Sequence, residues 1–201
     1  MTVLAAGLAS GALAKAPLWY ITRSTAVIAF VLMTVTFALG LAATQRALAS
    51  PSWPRFATQQ LHRNVSLLGL LFLVAHIVST ITDSFVNVGW WAWIVPFASG
   101  YRPGSVALGT VAFDALALVI VTSLLRDRLP LRFWRVVHWT SYLIWPLAFL
   151  HFIKTGTDAS HNRWGLYLAL ACLVAVGFAA TARWLTPNEP RGPVRSVRGV
   201  R

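Results

Sequence analysis

The chain has a single cysteine, Cys172, among 201 residues. That excludes an internal disulfide and a cysteine-built zinc site. Inside an apolar run, Cys172 reads as a small buried hydrophobe. Charge is scarce as well, with 5 Asp and Glu in total and charged residues at 11%, against about a quarter in a soluble domain. A hydrophobic fraction of 57% and a mean hydropathy of +0.66 place the chain in a bilayer instead. The 17 Lys and Arg give a formal charge of +12, which must sit in loops and tails. Nucleic acid is not the partner that such a distribution implies.

Long apolar runs are what the sequence does have. A transmembrane helix needs about 20 predominantly apolar residues, and five stretches qualify: 24–43, 62–82, 105–125, 136–153 and 164–184. Between them lie "QRALASPSWPRFATQQ", "SFVNVGWWAWIVPFASGYRPG", "RDRLPLRFWR" and "KTGTDASHNR", whose Pro, Gly and Ser mark loops. The first 23 residues have only about a dozen apolar residues before Lys15, too few for an ordinary span, and lack the basic start of a secretory signal. They are expected to form an interfacial helix, a re-entrant segment or a partial sixth span. The expected fold is an all-α integral membrane bundle of five helices, or six with that segment. It divides into residues 1–23, a membrane domain over 24–184 and a basic tail over 185–201.

Orientation follows from the basic residues. Arg46, Arg55, Arg63, Arg126, Arg128, Arg132, Arg135, Arg183, Arg191, Arg195, Arg198 and Arg201 fall on one side, and Lys15, Arg23, Arg102, Lys154 and Arg163 on the other. The richer side, with the C-terminus, is expected to be cytoplasmic in a bacterial-type inner membrane crossed several times. The tail is expected to rest on anionic lipid.

Histidines are conspicuous in such a setting. His62 and His76 lie fourteen positions apart on the second span, and His138 and His151 thirteen apart on the fourth. At a rise of about 1.5 Å per residue each pair is separated by roughly 20 Å, which puts one member near each membrane face. The two helices are separated by one span and run parallel, so His62 levels with His138 and His76 with His151. Two imidazoles facing each other across a bundle make an axial site for a b-type haem, and two such sites stack across the bilayer. Fourteen residues return to within about 40° of the same face, whereas thirteen miss by about 140°. Pro146, between His138 and His151, is expected to supply the kink that corrects this. Zinc is a poor rival, since each pair lacks the third and fourth ligands zinc usually takes. His161, in "DASHNR", reads as an exposed loop residue.

In "LHRNVSLLGLLFLVAHIVS", "GYRPGSVALGTVAFDALAL" and "RVVHWTSYLIWPLAFLHF" the chain resembles the ferric reductase-like transmembrane domain. Ferric reductases, NADPH oxidases and the haem subunit of the bacterial methionine sulfoxide reductase system share that domain. The resemblance implies transmembrane electron transfer through two haem b groups. His62 and His138 then bind the inner one, His76 and His151 the outer one. The acceptor on the outer side is ferric iron, oxygen or an extracytoplasmic redox partner. No glycine-rich dinucleotide loop occurs, and about 17 polar residues after the last span are too few to hold flavin. A separate donor is therefore expected, a quinol or a flavoprotein reductase carrying FAD or FMN.

Haem propionates call for basic and aromatic partners at the interfaces. Arg63 and Arg135 are candidates at the inner haem, and Arg102, with Tyr101 and Lys154, at the outer. Asp114, mid-span, is expected either to hold a ligand histidine or to bond Ser or Thr on a neighbouring helix. Trp139, Trp145, Phe149 and Phe72 are expected to wall the cofactors. The rival from another class is a non-redox proton-coupled transporter or scaffold, with the histidines and Asp114 as a proton relay.

Overall fold

The structure is a computed structural model that describes residues 2–43, 55–83, 86, 88–156 and 163–185, the side chains of 2–17 and 55 excepted. Lys15, Arg46, His161 and the tail beyond Leu185 lie outside the described residues or side chains. Among the described residues every regular element is helical. Helix α1 runs Thr2–Ala43, α2 Arg55–Thr82, α3 Pro103–Leu124, α4 Leu131–Trp139, α5 Ser141–Thr155 and α6 Trp164–Leu185, with a 3₁₀ turn at Arg126–Arg128. Five stretches are long and apolar enough to cross a membrane: Leu18–Ala43, Phe56–Thr82, Pro103–Leu124, Leu131–Thr155 and Trp164–Leu185. Lipid offers no partner to a free backbone N–H or C=O, so such segments must close their hydrogen bonds internally. Hydroxyls follow the same rule. Thr34 Oγ1 donates to the Phe30 carbonyl at 2.9 Å and Thr122 Oγ1 to the Leu118 carbonyl at 2.8 Å.

The backbone of the first 23 residues, from Thr2, continues into the first span as one helix, without a break at residue 23. Helices α1 and α2 pack along one another, α3 packs along α5, and α6 closes on α1 and α5. Gly69 lies in the first of these contacts, where a Cβ would meet Leu32 Cβ at 3.4 Å. The core has two centres. Phe30, Trp145, Phe152, Ala169 and Cys172 join α1, α5 and α6, while Ala112, Val119, Val137 and Ile144 join α3, α4 and α5. Cys172 is buried, as its apolar surroundings predict. Large side chains such as Leu71, Val174 and Phe178 point outward, the arrangement of a surface meant for lipid.

The fourth span breaks at Thr140 and not at Pro146, through which α5 runs on. The Thr140 N–H reaches the Val137 carbonyl at 3.0 Å, three residues back, and its hydroxyl donates to the same oxygen at 2.7 Å. This double claim on one carbonyl tightens the turn and separates the winding of His138 from that of His151.

One end of the bundle holds the Arg126–Arg128 turn and the start of α2; it is called the basic face below. The other end, the aromatic face, is covered by residues 88–102. There the chain turns at Gly89, whose φ of +88° suits glycine. Thr110 Oγ1 donates to the Ala92 carbonyl at 2.6 Å, and Trp93 meets Phe113 edge-on at 6.0 Å, so the loop lies down on α3.

Candidate functional site

Three of the four intramembrane histidines are held in the same way. His62 Nδ1–H donates to the Thr36 carbonyl at 3.0 Å, His76 Nδ1–H to the Thr22 carbonyl at 3.0 Å, and His151 Nδ1–H to the Ser105 carbonyl at 2.8 Å. A carbonyl oxygen can only accept, so each Nδ1 carries the proton and each Nε2 keeps its lone pair. That is the tautomer an Nε2 metal ligand needs, with the backbone bond orienting the ring. His138 differs. Its Nδ1 is buried without a hydrogen-bond partner among the described residues, and its ring stacks on Trp134 at 5.0 Å.

A hydroxyl also backs each carbonyl-bound histidine one turn on. Ser66 Oγ donates to the His62 carbonyl, Thr80 Oγ1 to that of His76 and Thr155 Oγ1 to that of His151, each at 2.6 Å. The H-x-x-x-[ST] spacing is visible in "HRNVS", "HIVST" and "HFIKT", but means little until the helices are seen.

The rings are brought together as the parallel-helix reading requires. His76 and His151 are close enough to act on one another electrostatically, and so are His62 and His138. His76 and His151 line one cavity of about 300 Å³. Its walls are Phe30, Trp93, Phe113 and Phe152, and Arg23, Asp83 and Tyr101 also line it. Trp145 and Phe149 instead belong to the α1–α5–α6 core, and Trp139 is exposed. Among the described residues no three His, Cys, Asp or Glu converge as a metal-ion site. Two imidazoles with free Nε2 lone pairs beside an apolar cavity fit a flat macrocycle that brings its own equatorial ligands.

The arginines divide differently from the expectation. Arg102 does not line the cavity; it caps α3 with φ +41°, and its guanidinium donates to the Lys154 carbonyl at 2.8 Å, in the last turn of α5. Arg23 does line it, lying over the Trp19 ring at 3.9 Å. At the basic face Arg63 and Arg135 are exposed. Arg126, which the sequence did not single out, acts electrostatically on His138 and lies over the Trp134 ring at 4.7 Å. Asp114 is half-buried on α3, and none of the three histidine hydrogen bonds goes to it.

Residues 25–149 match the family described as ferric reductase like transmembrane component. No curated protein and no solved structure matches the chain.

Proposed function

The chain belongs to the ferric reductase-like transmembrane family, and from that premise we propose that it carries electrons across the membrane through two bis-histidine b-type haems. Transmembrane electron transfer is the family's general activity, and its domains generally bind haem. The observation that carries the finer reading is the common tautomer of His62, His76 and His151, each bound through Nδ1 to a backbone carbonyl. His62 with His138 form the site at the basic face, and His76 with His151 the site at the aromatic face. The bound haems would supply one-electron redox carriers; the chain supplies ligands, orientation and a largely apolar cavity. Residues 88–102 keep water from the outer site by lying over it on α3. The basic face is cytoplasmic and takes electrons from a quinol or a flavoprotein; the aromatic face delivers them to ferric iron, oxygen or a redox protein.

The same bonds weigh against a proton relay. A ring whose Nδ1–H is bound to a backbone carbonyl has no titratable neighbour there to pass the proton to. The deciding experiment is a dithionite-reduced minus oxidised spectrum with haem counted per chain. A b-type spectrum at about two haems, as four axial histidines require, supports the proposal, and a colourless protein from haem-replete cells sinks it.

Arg23 is the cation for the acidic groups of the outer haem, with Asp83 opposing it. Arg23→Gln is expected to lower the outer reduction potential by about 1–2 kcal/mol, the effect of a unit charge roughly 10 Å away at an effective dielectric of about 20. Asp83→Asn is expected to raise it. Potentiometric titration reads both signs, and Arg102→Gln, exposed and outside the cavity, should lower the outer haem's potential by less than Arg23→Gln, because solvent screens it.

A further inference from the structure

Two of the carbonyls that hold histidines sit in near-identical pentapeptides. Thr36 opens "TFALG" on α1 and Ser105 opens "SVALG" on α3. In both, a glycine follows the carbonyl by four residues and lies against the bound ring. A Cβ built at Gly109 would stand 2.7 Å from His151 Cε1 and 2.8 Å from its Nδ1. One built at Gly40 would stand 3.4 Å from His62 Cε1 and 3.6 Å from its Nδ1. Helix geometry explains the spacing. The Cα–Cβ bond leans toward the N-terminus, so the side chain at i+4 covers the turn that carries carbonyl i. A ring can reach that carbonyl from the side only where the covering residue is small. At His76 the corresponding position after Thr22 is Ala26, again small and lining the same cavity.

We propose that Gly109 and Gly40 are positioning residues: each opens a backbone carbonyl to an imidazole Nδ1–H, and so sets the rotation and tautomer of a haem ligand. The proposal rests on the haem reading for its consequence and on the ring and carbonyl geometry for its substance. The two glycines are not equivalent. Gly109 leaves no room for a methyl without movement of the ring, whereas at Gly40 the ring need give only a few tenths of an ångström. Gly104 is the control on the same helix, with nothing within 4 Å of a Cβ there.

The test compares Gly109→Ala, Gly40→Ala and Gly104→Ala in the haem-loaded protein by low-spin ferric EPR, which reads the orientation of axial imidazoles. Gly109→Ala is expected to shift or abolish one of the two haem signals and leave the other in place. Gly40→Ala is expected to shift the other signal, by less. Gly104→Ala should match the unmodified protein. Both signals unchanged in Gly109→Ala would overturn the proposal, as would equal loss of both in protein of normal helix content. Should Gly109→Ala fail to fold, Gly40→Val decides in its place: a Cβ at Gly40 already meets the His62 ring at 3.4 Å, so the atoms beyond it must displace the ring, and an unchanged second signal would overturn the proposal. Nitrogen-15 histidine spectra of haem-free protein keep this separate from the haem reading. They are expected to give Nδ1-protonated rings for His62, His76 and His151, with the His151 signature lost in Gly109→Ala; retention of that signature would overturn the proposal even if no haem binds.

Discussion

Replacing His151 by alanine is expected to lower haem from about two per chain to about one, the largest single-residue effect on cofactor content that bis-histidine ligation implies. His151 faces His76 across the cavity, and its Nδ1–H is tied to the Ser105 carbonyl at 2.8 Å. Removing the ring leaves His76 as the sole protein ligand of that site. The His62–His138 site lies roughly 20 Å away along the bundle, and sites so far apart without shared partners respond independently. His76→Ala should therefore give the same spectrum as His151→Ala, while His62→Ala and His138→Ala should remove the other haem. Haem assay and EPR on each variant separate the two classes. Equal loss of both haems from any one substitution, in protein of unchanged helix content, would refute the pairing.

The second large effect is on stability. Trp145→Ala is expected to cost about 3–5 kcal/mol, the usual range for deleting a buried Trp or Phe. Trp145 is 5% exposed, stacks on Phe149 at 5.3 Å and Phe30 at 6.1 Å, and donates its Nε1–H to Thr34 Oγ1 at 3.0 Å. It fastens α5, which bears His151, to α1, whose carbonyls hold His62 and His76. Trp145→Phe keeps most of the packing and loses the hydrogen bond, so it should cost only about 1 kcal/mol. Thermal or denaturant unfolding in detergent followed by circular dichroism measures both. Similar losses in the two variants would mean that the hydrogen bond, not the ring packing, joins the helices.

The sequence made some of this legible and hid the rest for physical reasons. The five spans could be read because lipid imposes length and apolarity on every crossing segment, and the described helices match them closely. The level of the histidine pairs was readable because axial rise is regular. Winding was not. Pro146 is the obvious breaker, yet the turn occurs at Thr140, where one hydroxyl and one N–H share the Val137 carbonyl. The groups that orient the rings were invisible for a deeper reason: Thr36, Thr22 and Ser105 act through backbone carbonyls, which every residue type possesses. Only the glycines one turn later left a mark, and "TFALG" and "SVALG" acquire meaning once the helices are set beside the rings. Arg102 and Arg23 show the limit of counting charges. Both lie toward the aromatic face, but the cap geometry of α3 turns Arg102 onto the Lys154 carbonyl, while Arg23 lines the cavity.

The haem-loaded protein in sealed vesicles, with ferricyanide enclosed and dithionite outside, offers the most direct test. Both reagents are membrane-impermeant, so enclosed ferricyanide can be reduced only by electrons that cross the bilayer. Rapid bleaching is expected that requires the protein and falls to the protein-free rate in His151→Ala and in His62→Ala. Bleaching no faster than in protein-free vesicles, from protein shown to hold two haems, would contradict a transmembrane conduit.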